Sequence, residues 1–132
     1  MNQNFLIIHP KYGLCNQLLA ISKSIIFGLI TKRDIIFRSF QMDYRDINNT
    51  CDFHDIIDIE FLETIIKNIK IYSNKNCNGI KIKTNTDIEI SMIKNFLPLL
   101  LLENNKNEQY LDIENPISGE IPYQYYNLSH RF

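Results

Sequence analysis

The chain has 132 residues, enough for one domain, and its 45% hydrophobic and 22% charged content is typical of globular proteins. A formal net charge of −1 argues against nucleic acid or an acidic membrane as partner, because such surfaces attract clustered Lys and Arg. The three cysteines are widely spaced and form no CxxC pair, which favours a reducing compartment and predicts no metal site.

We expect no export signal, because residues 1–4 lack basic side chains and the apolar run that follows is too short for a signal peptide. Residues 96–102 form the longest apolar stretch, far short of the roughly 20 residues that span a bilayer. The Ile, Asn and Lys bias is typical of AT-rich genomes such as those of giant DNA viruses. We therefore expect a cytoplasmic protein, in the host cytoplasm if the source is viral.

The first third of the chain predicts a βαβ unit. Residues 5–9 are apolar and end at Pro10, which is typical of a strand buried on both faces. Residues 11–15 form a loop, residues 16–31 have helical apolar spacing, and residues 34–37 predict a second strand. A right-handed crossover should join the two strands in parallel.

The remaining chain predicts further helices and strands, with no repeat and no linker. Residues 41–52 are polar, and we expect them to be irregular. The other predicted elements are a helix at 56–66, strands at 69–72 and 80–83, a helix at 87–102, a strand at 110–113 and a turn at 115–119. We therefore predict an α/β fold: a single Rossmann-like domain over residues 1–132, with a mainly parallel sheet flanked by helices.

The loop between the first strand and helix is the principal candidate site. A helix N-terminus presents unpaired N–H groups that favour anions such as a pyrophosphate. Gly13 would allow close backbone approach to a ligand, while Asn16 could cap the helix or contact the ligand, and Gln17 offers a second amide. A single Gly is much less specific than GxGxxG, so a capped helix after a tight turn is the alternative.

Residues 5–37, with Gly-Leu-Cys-Asn-Gln at 13–17 ahead of a helix, resemble the opening of the fucosyltransferase clan. This clan groups protein O-fucosyltransferases with α-1,2- and α-1,6-fucosyltransferases, whose chains begin with a buried strand and a Gly-x-x-Asn-Gln or Gly-x-x-Asn-Arg loop. Residues 53–62 resemble the acidic and aromatic stretch that follows the second strand, and residues 110–118 more loosely resemble the end of the first half-domain.

The resemblance implies the N-terminal half of a two-domain glycosyltransferase of the GT-B type. Such enzymes need no metal cofactor, usually invert the anomeric centre, and transfer fucose from GDP-fucose to a glycan or protein acceptor. Gly13 then corresponds to the close-approach position and Asn16 to the amide that contacts the donor phosphates and sugar. Gln17 is expected to hold the loop in shape.

Two departures from the family pattern limit the functional prediction. Cys15 stands where many members have Gly, and the His-x-Arg motif that clamps the pyrophosphate belongs to the C-terminal half, which we expect to be absent. Three alternatives follow. The chain acts as an enzyme with a second chain that supplies that half, it is a truncated paralogue inactive alone, or it is a non-catalytic Rossmann-like binding or interaction module.

Four further residues are weaker candidates, each with a simpler alternative. His9 ends the first strand and could contact a ligand or act as a base, or it could simply be hydrogen-bonded there. Arg38 and Arg45 follow the second strand, at the edge where α/β proteins bind ligands, although Arg45 could instead pair with an acid. Cys15 beside a helix N-terminus is a candidate reactive thiol, but no partner residue is placed near it by the sequence.

Overall fold

The computed structural model describes residues 4–43, 45–74 and 109–114. Within these ranges the chain forms six strands and three helices. In chain order they are β1 (Phe5–Ile8), α1 (Leu14–Thr31), β2 (Asp34–Phe37), β3 (Phe40–Asp43), β4 (Asp46–Cys51), α2 (Phe53–Ile56), α3 (Ile59–Ile65), β5 (Ile71–Ser73) and β6 (Tyr110–Glu114). The elements predicted at 80–83, 87–102 and 115–119 lie outside the described residues.

Four strands form a parallel sheet in the order β5-β2-β1-β6. Every residue of β1 and β2 is buried, as expected for a sheet covered on both faces, and all of them except Asp34 are apolar. The predicted α/β fold with a parallel sheet flanked by helices is therefore confirmed. Its assignment to half of a GT-B enzyme stays a prediction.

One face of the sheet carries the main hydrophobic core. Because strand side chains alternate, Leu6 and Ile8 of β1 lie on the same face as Ile35 and Phe37 of β2, their register partners. Helices α1 and α2 pack on this face. Gly28 of α1 lies so near β2 that a methyl group there would come within 2.9 Å of the Ile35 side chain. Ring stacking at 4.2 Å joins Phe53 of α2 to Phe37.

Helix α1 begins two residues earlier than predicted. Gly13 has an extended backbone and is the N-cap, and its carbonyl accepts the first helical hydrogen bond from the Gln17 N–H. Asn16 therefore lies within the first turn and does not cap the helix, so that suggestion was wrong. The helix ends at Thr31 as predicted, because Lys32 adopts a left-handed conformation with φ of 57° and its N–H bonds the Gly28 carbonyl.

By length and composition, α1 is the one helix of the described chain that could cross a membrane, a candidate that the sequence prediction missed. Within the domain 44% of this helix is buried, including the polar side chains of Gln17 and Ser24. Such packing is that of a core helix and is compatible with a soluble protein.

Three predictions between residues 41 and 72 require correction. Residues 41–52, predicted to be irregular, belong largely to an antiparallel hairpin of β3 and β4. The hairpin was missed because its residues are mostly polar. In place of the single helix predicted at 56–66, the structure has two helices. Asp52 is the N-cap of α2, and Asp58 is the N-cap of α3, where its side chain accepts a hydrogen bond from the Phe61 N–H. Strand β5 begins later than predicted, at Ile71, and pairs in parallel with β2 at one end of the described sheet.

Candidate functional site

The strand order places a ligand crevice at the carboxyl end of β1. From β1 the chain proceeds to β2 and β5 on one side, whereas β6 lies on the other side. Parallel α/β sheets bind ligands where the strand order reverses in this way, outside the carboxyl ends of the two diverging strands. Here that position lies between β1 and β6, directly beyond Ile8.

A pocket of about 400 Å³ opens at this edge of the sheet. Its walls come from the segments that follow β1, β2 and β5 and from the β3–β4 hairpin. The lining residues are His9, Pro10, Lys11, Arg38, Ser39, Gln41, Thr50 and Asn74. This described lining contains two permanent cations and no carboxylate, although the whole chain has a net charge of −1. The pocket is therefore suited to an anionic ligand.

Hydrogen bonds order the side of the pocket that follows β2. The Arg38 backbone N–H continues the parallel ladder by donating to the Ile8 carbonyl at 2.8 Å. Its guanidinium donates to Asn74 Oδ1 at 3.4 Å, and Asn74 Nδ2 in turn donates to Ser39 Oγ at 3.1 Å. The Asn74 amide thus links the ends of β2 and β5 and holds Arg38 at the pocket.

His9 joins the pocket to β6. Its Nε2 atom lies 2.7 Å from Asp112 Oδ2, and the two side chains are 33% and 15% exposed. Strand register explains the encounter, because Asp112 is paired with Ile7 and His9 is two residues beyond Ile7, on the same face of the sheet. The pair therefore combines a proton-accepting ring with a mostly buried carboxylate.

Two glutamines fix the loop between β1 and α1. The buried Gln17 amide donates to the carbonyls of Tyr12 and Gln41 at 2.9 and 2.8 Å, and accepts from the Gln41 N–H at 3.0 Å. Gln41 Oε1 accepts from the Tyr12 N–H at 2.9 Å. Both backbone groups of Tyr12 are thereby bonded, which stabilises its strained left-handed conformation with φ of 74°.

Gly13 does not carry the strained backbone conformation of the loop. The positive φ belongs to Tyr12, whereas Gly13 has φ of −71° and open space where a Cβ would lie. Its conformation is therefore open to other residues, and Gly13 is not required there by backbone strain. Cys15 lies inside the helix, where its side chain creates no backbone strain.

The structure brings only some of the predicted site residues together. His9 and Arg38 line the pocket, whereas Gly13, Cys15 and Asn16 do not. Cys15 and Asn16 lie on the exposed side of α1.

Arg45, the last candidate, lies on the hairpin outside the pocket. Its Nε is 3.2 Å from Asp43 Oδ1. Hydrogen bonds from the Arg45 backbone N–H and guanidinium lower the pKa of Asp43. Arg45 thus pairs with an acid, which was the simpler alternative predicted from the sequence.

Several pocket residues were not predicted from the sequence. Lys11, Ser39, Gln41, Thr50 and Asn74 come from loops and from the hairpin that sequence reasoning missed. Asp112 lies 103 residues from His9, and only its position as a charged residue between Leu111 and Ile113 could have indicated a role. Within the described residues, no group of three His, Cys, Asp or Glu side chains is placed to hold a metal ion.

Comparison with known proteins assigns no relatives. No protein-family model matches the chain, and neither a curated protein nor a solved structure matches it.

Proposed function

We propose that this domain binds the diphosphate of a nucleotide sugar in the pocket at the carboxyl end of its sheet, and that it descends from the N-terminal half of a fucosyltransferase-like glycosyltransferase. The observation that carries the proposal is the lining of that pocket, which holds Lys11 and Arg38 and no carboxylate among its described residues. GDP-fucose is the donor expected from the resemblance, with a glycan or protein as acceptor and a second chain as the source of the other half.

The chemistry of the lining supports a phosphate ligand. Arg presents a planar set of donors that matches phosphate oxygens, and Lys adds a point charge. Ser39, Thr50 and Asn74 provide neutral donors around these cations. In transfer from a nucleoside diphosphate, charge develops on the departing diphosphate, and fixed cations stabilise that charge without a metal.

Calorimetric titration with GDP tests the proposal through a matched pair of arginines. Arg38→Ala removes a guanidinium that lines the pocket, whereas Arg45→Ala removes one that pairs with Asp43 outside it. A hydrogen bond to a charged group contributes about 1.5–3 kcal/mol, so Arg38→Ala should weaken GDP binding roughly 10- to 150-fold. Arg45→Ala should leave it unchanged. Equal effects of the two substitutions, or no binding of GDP by the unaltered chain, would refute the proposal.

A non-catalytic binding module is the second candidate function. It is favoured by the loop itself, because Gln17 is buried and structural while Asn16 lies outside the pocket lining. Asn16→Ala tests the role of Asn16 in ligand binding. Loss of GDP binding in this variant would favour the donor-binding role that the family resemblance implies for Asn16. Unchanged binding would show that the ligand is held by the pocket alone.

A further inference from the structure

A histidine–carboxylate pair that anion binding does not require connects the pocket to β6. His9 belongs to the pocket lining, and its Nε2 atom is 2.7 Å from Asp112 Oδ2. His9 is one-third exposed, whereas Asp112 is only 15% exposed. The His9 ring is therefore more accessible to a ligand than the Asp112 carboxylate is.

The pairing determines which ring nitrogen carries the proton. An ionised carboxylate can only accept hydrogen bonds, so the His9 Nε2 atom beside it must be the donor. In the neutral ring, Nδ1 then keeps a lone pair. No other hydrogen bond to this side chain occurs within the described ranges. A carboxylate that holds a histidine in one tautomer and stabilises its protonated form is a recurrent arrangement for proton transfer.

The strands, and not a flexible loop, bring the two groups together. The partner of Ile7 is Asp112 and the partner of Ile8 is Glu114, so β6 has one additional residue at this step. Such irregularities often lie beside active sites, where they redirect a side chain. Among the described residues, Asp112 on β6 contacts the ring, and Lys11 and Arg38 belong to the same pocket lining.

We infer that His9 is the general base of this site, that it accepts the proton of the hydroxyl group that attacks a nucleotide sugar, and that Asp112 is its positioning residue. The inference rests on the proposed function. His9 Nδ1 takes the hydroxyl proton while the hydroxyl oxygen bonds to the anomeric carbon. The bond from that carbon to the diphosphate oxygen breaks, and its electron pair leaves with the nucleoside diphosphate. The imidazolium then releases its proton to solvent.

The test measures GDP release from GDP-fucose by the full chain, with water as the hydroxyl donor, alongside GDP affinity. General base catalysis typically contributes 10²–10⁴-fold, so His9→Gln should lower the release rate at saturating GDP-fucose by about 100-fold or more. Asp112→Asn should lower the rate as well.

The chain provides a matched control in its other histidine–carboxylate pair. His54 Nε2 lies 3.0 Å from Glu60 Oε1 on α2 and α3, outside the pocket lining, so His54→Gln should leave the rate unchanged. Nitrogen-15 NMR of the neutral ring should find the proton of His9 on Nε2. A proton on Nδ1 would overturn the role of Asp112.

The outcomes distinguish this inference from the function on which it rests. Normal GDP release by His9→Gln overturns the general base. The same conclusion follows if the unaltered chain binds GDP but releases none from GDP-fucose faster than the uncatalysed reaction. Neither result argues against GDP binding in the pocket. Failure of the unaltered chain to bind GDP at all refutes the proposed function, and the inference with it.

Discussion

Replacing Gln17 with Ala should destabilise the domain much more than the same change at its neighbour, Asn16. The Gln17 amide makes three hydrogen bonds, to the Tyr12 carbonyl and to both backbone groups of Gln41. A typical hydrogen bond contributes about 0.5–1.5 kcal/mol net, so the three together account for about 3 kcal/mol. The higher helix propensity of Ala offsets only a few tenths of a kcal/mol.

Urea and thermal unfolding of both variants measure this difference. For a chain of this length, about 3 kcal/mol corresponds to a decrease in Tm of roughly 10 °C. Asn16 is exposed, and no hydrogen bond of its side chain occurs among the described residues, so Asn16→Ala should change the free energy of unfolding by less than about 0.5 kcal/mol. Equal stability of the two variants would show that Gln17 does not fix the loop.

Three further predictions concern glycine and cysteine residues. Gly28→Ala places a methyl group 2.9 Å from a β2 side chain and should cost about 1–3 kcal/mol in unfolding experiments. Gly13→Ser, in open space at the N-cap, should be neutral or slightly stabilising, and a large loss would contradict the extended backbone found there. Alkylation followed by mass spectrometry should label exposed Cys15 before Cys51, because burial raises the pKa of the Cys51 thiol. Faster labelling of Cys51 would contradict that order.

The elements with strong apolar patterns were predictable from the sequence. Strand β1 is a continuous apolar run, and β2 has three apolar residues after Asp34. The bounds of β6 were predicted to within one residue, and α1 ends at Thr31, about where it was predicted to end. The hairpin was not predicted, because β4 has the sequence Asp-Ile-Asn-Asn-Thr-Cys, with little of the apolar alternation that marks a strand. The position of the hairpin depends on tertiary contacts such as the hydrogen bonds between Gln17 and Gln41.

Only part of the candidate site could be predicted from the sequence. The position of His9 and Arg38 after parallel strands was enough to select them, because parallel strands end at the same edge. The partner of His9 could not be found in this way, since its identity depends on which strand lies beside β1. The motif at residues 13–17 was selected correctly as a helix start, but the strained residue of its loop is Tyr12, which precedes the motif.

The central claim is that GDP binds in the pocket at the carboxyl end of the sheet. Amide NMR during titration with millimolar GDP tests it most directly. We expect the largest shifts at residues 9–12, 38–41 and 74, with little change at residues 45–48 of the hairpin end. No shift at these pocket positions, or shifts confined to residues outside the pocket, would contradict the account.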